Sequence, residues 1–414
     1  MTQVPVHAPR CRLCNGRHLE PMIDFGERPI AHRLLTRADE PEDTYPMALH
    51  SCRDCGLIQV LDPIDPRMLY SAYNYNFSAW KPEPHSTDEL DAIMAHGPFA
   101  NAVEIGCNDG TFLAALRDRG IATCVGIEPN PVSGAIACER GLGVHRAMVN
   151  AGICDEIIRH HGAFDLVVSR QVIEHVPDLN NFFVCINRLL DDDGVLFLDT
   201  PDFEPSLLVG DCSAVWEEHV SYFTEPVLRR LLHRHGLTLT ELRKYDFSSG
   251  CLAVLARRAE QGAVRDHGRD RTRRIVDLAS AYGPAVRRFE LDLRRKLAAA
   301  RRQGAEVVLY GVGVRGCCTV NGLDLDGVID YAVDDQPERQ GKFVPGRRLP
   351  IRPPQVLADG RGPVICLLAV NNENEDKVSA KVRAMAERPV VFLTLCSPKD
   401  INAQLARLDG IATR

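Results

Sequence analysis

The chain has 414 residues, of which 45% are hydrophobic and 25% charged, a composition typical of a globular protein with two or three domains. Its net charge of −7, without a long Lys/Arg stripe, argues against nucleic acid as a partner. No apolar run approaches the ~20 residues that span a membrane, and the first ten residues lack the apolar core of a signal peptide.

The N-terminal region carries a pattern typical of a metal site. Two Cys-x-x-Cys pairs are present: Cys11, Cys14, Cys52 and Cys55. The spacing lets both sulfurs of a pair face one tetrahedral ion, and Gly56 lets the second pair turn its amide N–H groups toward the thiolates. A redox pair is the alternative, and His18 and His50 are rival ligands without the spacing. The sequence therefore predicts a structural zinc ion, with the remaining cysteines as thiols in a reducing cytoplasm.

A tyrosine-rich segment, residues 70–78, follows this region. Tyr70, Tyr73 and Tyr75 alternate with Asn, Ser and Ala. This alternation fits a half-buried strand face and a substrate-binding edge equally well.

The central region, residues 99–258, alternates apolar strands with helical patterns. The predicted strands are Ala102–Ile105, Cys124–Ile127, Asp165–Ser169, Gly194–Asp199 and Cys251–Ala256, and the predicted helices include Leu179–Leu190 and Glu225–His235. This order indicates a mostly parallel sheet covered on both faces. Ligands of such sheets bind beyond the carboxyl ends of the strands, which here converge on one crevice that also includes residues 200–202.

The first strand runs into the turn Glu104-x-Gly106-x-Asn108-Asp109-Gly110, and the second ends at Glu128. Glycines permit close backbone approach, and an acid after the second strand suits a ribose diol. The acid within the turn repels phosphate but suits a cationic ligand with a bare ribose, so the sequence predicts S-adenosylmethionine (SAM) and a methyltransferase. The predicted cofactor contacts are Glu104, Gly106, Asn108, Asp109, Gly110, Thr111, Phe112, Glu128, Pro129, Ser169, Gln171 and His175.

Two histidines are candidate general bases. His219 follows Glu217 and Glu218 among aromatic residues, so we expect partial burial and a pKa tuned for proton transfer. The bland alternative is a surface histidine at a helix start. His175 is the competitor, and it also fits a structural contact at the cofactor rim.

The C-terminal region begins with an arginine-rich helical pattern, residues 257–303, including Leu291, Leu293, Leu297 and Ala300. Its arginines fit a diphosphate contact or, more commonly, a solvated face. A second strand-turn-helix follows, with Gly311, Gly313 and Gly316 close to a nucleotide fingerprint, and Asp330 and Asp334-Asp335 expected at the end of the next strand. This predicts a degenerate Rossmann-like domain that holds the acceptor or closes the cleft.

In combination, these motifs resemble a known family. The order of the two Cys-x-x-Cys pairs, the tyrosine-rich segment, E-I-G-x-N-D-G, E-H-V-P-D-L and E-H-V-S-Y-F is similar to bacterial zinc-containing sugar C-methyltransferases. The resemblance covers nearly the whole chain and includes Lys342–Gly346 near its end. It implies SAM-dependent methylation at carbon 3 of a nucleotide-linked 4-keto-deoxysugar.

The resemblance also implies residue roles. His219 would remove the proton beside the ketone, Glu218 would orient His219, and Tyr222 with a tyrosine such as Tyr75 would line the sugar pocket. This chain has Trp216-Glu217 where the family has Tyr-His, and Ser248-Ser249-Gly250-Cys251 where the family often has His-Gly-Gly-Ser. Both departures border the acceptor.

The sequence thus predicts an α/β protein with a class I methyltransferase Rossmann-like central domain. The expected divisions are a zinc-binding domain (1–80), the SAM-binding domain (81–258), a helical linker (259–303) and a degenerate Rossmann-like domain (304–414). The expected partner is a small nucleotide-sugar, with no nucleic acid or membrane and with a monomer or homodimer as the assembly. The alternative function is O- or N-methylation of another small metabolite.

Overall fold

The computed structural model of the protein describes residues 9–70, 83–260, 269–360, 362–397 and 401–409, which form three β-sheets with flanking helices. The strands are β1 (Leu19–Pro29), β2 (Thr44–Cys52), β3 (Ile58–Val60), β4 (Asn101–Ile105), β5 (Thr123–Ile127), β6 (Gly143–His145), β7 (Phe164–Arg170), β8 (Leu190–Pro201), β9 (Ser221–Tyr222), β10 (Leu237–Tyr245), β11 (Cys251–Arg258), β12 (Glu306–Tyr310), β13 (Tyr331–Val333), β14 (Ile351–Arg352), β15 (Val364–Leu368) and β16 (Val390–Thr394).

The helices are α1 (Pro66–Tyr70), α2 (Ser86–Ala95), α3 (Thr111–Asp118), α4 (Pro131–Glu139), α5 (Ala151–His161), α6 (Leu179–Leu189), α7 (Glu204–Val209), α8 (Glu225–Arg234), α9 (Arg269–Arg302), α10 (Val314–Gly322), α11 (Glu375–Met385) and α12 (Ile401–Ala406). Among the described residues, none of these helices is both long enough and apolar enough to cross a bilayer. The alternation of strands and helices confirms the predicted α/β class.

The first sheet has the order β1-β2-β3-β9 and is antiparallel throughout. Its last strand, β9, comes from the central region, and Ile58 of β3 pairs with Tyr222 of β9. The amide of Val60 also donates to the carbonyl oxygen of Val220 at 3.0 Å. The N-terminal region is therefore joined by main-chain hydrogen bonds to the segment that carries His219.

The central sheet has the order β10-β11-β8-β7-β4-β5-β6. Strands β4 to β8 are parallel, and β11 pairs antiparallel with β8. Ile105 of β4 lies opposite both Ile127 and Ser169, so the carboxyl ends of β4, β5 and β7 are level. Chain order reverses between β4 and β7, the position where such sheets bind ligands.

The two edge strands of this sheet, β6 and β10, are absent from the sequence prediction. β6 has only three residues, and β10 alternates apolar and polar side chains because its outer face is partly exposed. A search for continuous apolar runs finds the buried inner strands and misses such edges.

The third sheet, β14-β13-β12-β15-β16, is parallel throughout. Asp334 directly follows β13 as predicted, whereas Asp330 precedes that strand, contrary to the prediction. The Asp330 carboxylate accepts from the Val307 amide at 2.8 Å and pairs with Arg301. It therefore stabilises the amino-terminal end of these strands, opposite to the end where Asp334 lies.

The predicted helical linker is one long helix, α9, which packs against β1, α7 and α8. Tyr282 is fully buried, and a Cβ at Gly283 would lie 2.1 Å from the Met22 carbonyl oxygen, so glycine allows α9 to cross β1 closely. Of the predicted apolar positions, Leu293 is in the core, whereas Leu291 is 66% exposed. The arginines of α9 are engaged in ion pairs with neighbouring carboxylates, for example Arg274 with Glu204, Arg287 with Glu290 and Arg294 with Asp324.

Candidate active site

The four N-terminal cysteines converge as the sequence predicts. One sulfur from each lies within 4.8 Å of the other three, with Cys11 and Cys55 at 3.4 Å and Cys14 and Cys52 at 3.6 Å. A tetrahedral site with Zn–S bonds of about 2.3 Å separates sulfurs by about 3.8 Å, so the cluster fits zinc.

The groups around the four sulfurs also fit a zinc site, and the two rival histidines have other partners. The Gly16 amide donates to the Cys14 sulfur at 3.4 Å, and Gly56 adopts φ +81° at the predicted turn. Exposed His18 pairs instead with Asp54 at 2.9 Å, and His50 lies on β2, pairing with Gln59 of β3. The cluster is sealed by protein ligands and has a structural role.

The glycine turn after β4 is a cradle that larger residues would fill. Gly106 and Gly110 have φ values of +78° and +74°. A Cβ at Gly106 would approach Val172 to 2.4 Å, and one at Gly110 would approach Leu142 to the same distance. Both positions in this turn therefore require glycine, which keeps the main chain close to the crevice.

Two buried carboxylates flank this turn. The Glu128 carboxylate accepts from the amides of Asn108 at 2.9 Å and Asn130 at 2.7 Å. Glu104 is 2% exposed, and its Oε2 has no hydrogen-bond partner among the described residues. Burial, reinforced by repulsion from Glu128, raises the pKa of Glu104 to about 8 even though Arg170 opposes the shift. An unsatisfied buried carboxylate is a site for a cation, so the turn fits the ammonium group of a SAM methionine.

The remaining residues of the turn divide into two groups. Asp109 is buried, and its Oδ1 accepts from the Thr111 amide at 3.1 Å and the Thr111 hydroxyl at 2.6 Å at the start of α3. Phe112 is buried under the Arg170 guanidinium at 4.1 Å, whereas Pro129 is exposed at the rim. The predicted electrostatic role of Asp109 stays a prediction, and Glu104 and Glu128 are further buried carboxylates at the same turn.

The ends of β7 and β8 supply further polar groups. The Ser169 hydroxyl is buried without a hydrogen-bond partner in the described part of the chain. Gln171 adopts φ +50° and donates from Nε2 to Asp199 at 2.9 Å. A non-glycine residue in this conformation at a strand end marks a conformationally constrained turn.

Buried His219 and half-buried His175 form a pair. Their ring centroids are 4.8 Å apart with an interplanar angle of 78°, and the Trp216 ring lies 3.8 Å from His219. One ligating atom each of Glu174, His175 and His219 lies within 4.8 Å of the others. His175 therefore belongs with His219, and its predicted place at the cofactor rim remains a prediction.

The environment keeps His219 neutral. Burial lowers the pKa of His219 well below its ordinary range, and the nearby His175 and Arg315 lower it further. Burial also lowers the pKa of His175, although the nearby Glu218 partly opposes this shift. A neutral imidazole can accept a proton, but the deep burial of His219 and its lowered pKa differ from the predicted partial burial and from a pKa near neutrality, where a general base works best.

The Glu218 carboxylate lies beside a residue of the N-terminal region, and its predicted role in orienting His219 stays a prediction. Its carboxylate lies 3.5 Å from His32 Nδ1, and its main-chain oxygen accepts from His175 Nδ1 at 2.9 Å. The predicted carboxylate contact with His219 is not among the contacts of the described residues. Glu218 therefore acts directly on His175 and connects this pair to the zinc-binding domain.

Tyr222 lies beside the pair, with its ring 6.0 Å from that of His219. Its hydroxyl donates to the Trp216 carbonyl oxygen at 3.3 Å, and burial raises its pKa well above the ordinary value. The phenol therefore stays protonated and is not available as a base. Tyr75 lies outside the described residues.

The sequence analysis missed a buried ionic cluster at the ends of β7 and β8. Arg170 pairs with Glu83, with Glu89 at 2.9 Å and with Asp199 at 3.5 Å. Burial raises the pKa of Glu89 to about 9 and that of Asp199 to about 6. Arginine at the end of an apolar strand is the one sequence signal that could have indicated this cluster.

The C-terminal glycine turn repeats the design of the first. Asp334 accepts from the Val312 amide at 2.8 Å and from Arg339 at 3.1 Å, much as Glu128 braces the SAM-type turn. A Cβ at Gly311 would approach the Ala369 carbonyl oxygen to 2.8 Å. The turn is therefore a built Rossmann-like element, with its acid engaged by the protein.

Family comparisons match successive parts of the chain. Residues 11–70 match a zinc binding domain, residues 76–242 match a methyltransferase domain, and residues 256–395 match a C-methyltransferase C-terminal domain. These three matches follow the same order as the cysteine cluster, the central sheet and the C-terminal sheet.

Individual relatives agree with the family matches. C-methyltransferase NovU of Streptomyces niveus is 27% identical over 413 residues, covering 95% of this chain and 97% of that protein. A ubiquinone biosynthesis O-methyltransferase of Actinobacillus pleuropneumoniae serotype 5b (strain L20) is 32% identical over 120 residues, covering 27% of this chain and 51% of that protein. A solved N1-methyltransferase for 1,6-didemethyltoxoflavin from Burkholderia thailandensis aligns with TM-score 0.38 and 18% identity, covering 49% of this chain and 95% of that chain. The chain is thus a SAM-dependent methyltransferase that combines a zinc-binding domain, a methyltransferase domain and a C-methyltransferase C-terminal domain, and it is similar over nearly its whole length to a C-methyltransferase.

Proposed function

We propose that the protein methylates carbon 3 of a nucleotide-linked 4-keto-deoxysugar, with His219 as the general base. The observation that carries this proposal is the His175–His219 pair beside Glu174, whose carboxylate accepts from the Thr200 hydroxyl of β8 in the central sheet. The full-length similarity to NovU, named as a C-methyltransferase, supports carbon as the methyl acceptor.

The chemistry requires a base because a C–H bond beside a ketone is only weakly acidic. His219 removes the proton from carbon 3, and the C–H electron pair delocalises onto the ketone oxygen as an enolate. Carbon 3 then attacks the methyl group of SAM, forming a C–C bond while the S–CH₃ bond breaks and S-adenosylhomocysteine leaves. The imidazolium returns its proton to solvent when product departs, and positioning supplies much of the rate.

The residues around the base have supporting roles. Glu218 holds His175 through its main-chain oxygen, and His175 in turn packs edge-on against His219. Tyr222 offers its ring face to the sugar pocket because its hydroxyl is already bonded. Tyr75 is proposed as the second pocket residue on the resemblance alone, and the C-terminal glycine turn as a support for the acceptor.

Solvent exchange tests carbon chemistry independently of full turnover. Nucleotide-linked 4-keto-deoxysugars are incubated in D₂O with S-adenosylhomocysteine, and mass spectrometry follows the sugar. We expect uptake of one deuterium at carbon 3 with wild-type protein and loss of that uptake in His219→Asn. SAM is then supplied in a parallel reaction, where a C-methylated product is expected.

The same assay contains the contrary outcomes. A methylated product whose new methyl group is on oxygen, formed without deuterium uptake, would establish the O-methyltransferase alternative. Absence of exchange and of product across thymidine-, uridine-, guanosine- and cytidine-linked keto sugars would exclude this acceptor class.

A further inference from the structure

Arg315, in the first turn of α10, reaches out of the C-terminal domain into the central domain. It is 8% exposed, and its guanidinium donates to five residues. The contacts are Nε to Ser213 O (3.3 Å), Nη2 to Ser213 Oγ (2.8 Å), Nη1 to Ser248 Oγ (3.0 Å), Nη1 to Asn371 Oδ1 (3.1 Å), Nη2 to Cys396 O (2.9 Å) and Nη2 to Ser249 Oγ. Every nitrogen of the guanidinium is thereby used.

The serine at 213 connects this cation to a buried anion. Ser213 Oγ donates to Asp211 Oδ2 at 2.9 Å, and the Ser213 amide donates to Asp211 Oδ1 at the same distance. Tyr282 of α9 donates to the Asp211 carbonyl oxygen at 2.9 Å. Arg315 and Asp211 therefore fix the start of the segment that leads to Trp216 and His219.

The serines at 248 and 249 are held in a strained turn. Their φ values are +49° and +85°, in the left-handed region that non-glycine residues avoid. Two such residues in succession persist only where the surroundings over-determine them. Here the surroundings include the Arg315 guanidinium, which binds both hydroxyls.

The strained turn lies next to the crevice. It precedes Cys251, whose thiol contacts Asp199 at the end of β8, and the Gly250 carbonyl oxygen accepts from the Asp202 amide at 3.0 Å. One side chain of the C-terminal domain therefore contacts both central-domain segments that border the proposed acceptor site.

We infer that Arg315 is a positioning residue for the base: it locks the 211–219 segment and the 248–250 turn together, so that His219 reaches its working geometry only when the C-terminal domain is docked. This inference rests on the proposed role of His219. It assigns the C-terminal domain a part in assembling the catalytic centre.

Two features distinguish this arrangement from ordinary domain packing. A flat guanidinium fork can bind Ser213, Ser248 and Ser249 at once from separate nitrogens. A lysine ammonium donates from one nitrogen only and cannot reach all three hydroxyls in this geometry. The positive charge also contributes to the low pKa of His219. The titratable groups around His219 include Glu217 and Glu218 before it in the chain, Glu174 and His175 from the turn before α6, Tyr222 of β9 and Arg315 of α10. Of these, Arg315 carries the permanent positive charge.

Two substitutions separate geometry from charge. Arg315→Lys keeps the charge and loses the fork, whereas Arg315→Gln loses both. Arg388→Lys is the matched control, because the Arg388 side chain is only 7% exposed and bonds Glu306 and the Leu357 carbonyl oxygen within its own domain. SAM binding by calorimetry counts the folded molecules in each preparation, so that kcat is expressed per competent enzyme.

We expect kcat to fall about 10- to 100-fold in Arg315→Lys, the scale of a 1 Å misplacement of a catalytic group. SAM affinity and zinc content should stay within twofold of wild type, and Arg388→Lys should keep wild-type kcat. In Arg315→Gln the pKa of His219, followed by ¹⁵N-histidine NMR and identified with His219→Asn, should rise toward its ordinary value. In Arg315→Lys it should stay low.

The outcomes separate this inference from the proposed function. If Arg315→Lys retains wild-type kcat, or if Arg388→Lys loses as much, the positioning role is wrong while an inactive His219→Asn still supports the base. If His219→Asn retains turnover, the base assignment itself is wrong. An unchanged His219 pKa in Arg315→Gln would show that the charge of Arg315 has no role. The geometric role would then be tested by kcat in Arg315→Lys alone.

Discussion

His175 donates its Nδ1 proton to the main-chain oxygen of Glu218 across 2.9 Å. A carbonyl oxygen can only accept, so this bond fixes the tautomer of neutral His175 and makes Nε2 its basic nitrogen. Glu174 Oε1 lies 3.8 Å from that nitrogen, and burial raises the pKa of Glu174 to about 8. The partner ring of His219 is thus held by a main-chain contact that no side-chain substitution at Glu218 removes.

The first prediction follows from this pairing. His219→Asn should keep the fold, the zinc and SAM affinity, while turnover falls roughly 10²- to 10⁴-fold, the usual contribution of a general base. Glu218→Gln should cost less, because the His175 contact uses the main chain. The measurement is steady-state kcat with calorimetric SAM binding.

His175→Asn is the control for that experiment. It removes an edge-on neighbour of the base, so we expect a smaller loss than in His219→Asn. If His175→Asn abolishes turnover while His219→Asn retains most of it, the two roles are exchanged.

The sequence predicted the inner strands well because each is a short apolar run followed by a turn residue. It failed where tertiary context decides. β9 is two residues long and forms only because β3 supplies a partner, so Ser221-Tyr222 carries no strand signal of its own. Leu291 fits the helical spacing of α9 but faces solvent. Helical periodicity cannot indicate which face of a long helix is covered by the rest of the fold.

The candidate site shows the same division. The cysteine spacing and the glycine turn are local patterns, and the structure brings their residues together. The hydrogen bonds from Thr111 to Asp109 were not predicted, because such a local side-chain contact is one of several that this residue type can make. Arg315 is separated from Ser213 by about a hundred positions in the chain, and such a contact leaves no trace in spacing or composition.

The zinc cluster gives a prediction about folding. Cys14→Ser removes one of four thiolates, and structural zinc is coupled to folding, so we expect metal loss and a lower melting temperature. Elemental analysis should find one zinc per wild-type chain. Cys138→Ser is the matched control, because Cys138 is exposed and outside the cluster. Well-folded wild-type protein without zinc would contradict the assignment.

Glu128 should be important for SAM binding. Its carboxylate already orders the amides of Asn108 and Asn130 and lies where a ribose diol would be bound. Glu128→Ala should weaken SAM binding by roughly 2–4 kcal/mol, the scale of a pair of hydrogen bonds to a charged group. Glu139→Ala, at the exposed end of α4, should leave the affinity unchanged. Wild-type affinity in Glu128→Ala would show that the turn binds a different ligand.

Glu104 should make SAM binding depend on pH. Burial raises its pKa to about 8, so most of the ligand-free protein carries a neutral Glu104 at pH 7. The folded-state value lies above the unfolded one, so the stability this group contributes is present at low pH and is lost as pH rises toward 8. A bound ammonium group favours the ionised form of Glu104, so SAM binding releases the proton of this carboxyl group.

We therefore expect SAM affinity to rise with pH between about 6 and 8, by up to tenfold per unit, with release of close to one proton per SAM at pH 7. Calorimetry in two buffers of different ionisation enthalpy measures that proton directly, and the thermal shift produced by SAM should grow over the same range. Glu104→Gln should bind SAM more weakly and release no proton. Glu128→Ala, although weaker in binding, should retain the release. Binding in wild-type protein that is independent of pH and of buffer would show that the ammonium group does not lie beside Glu104.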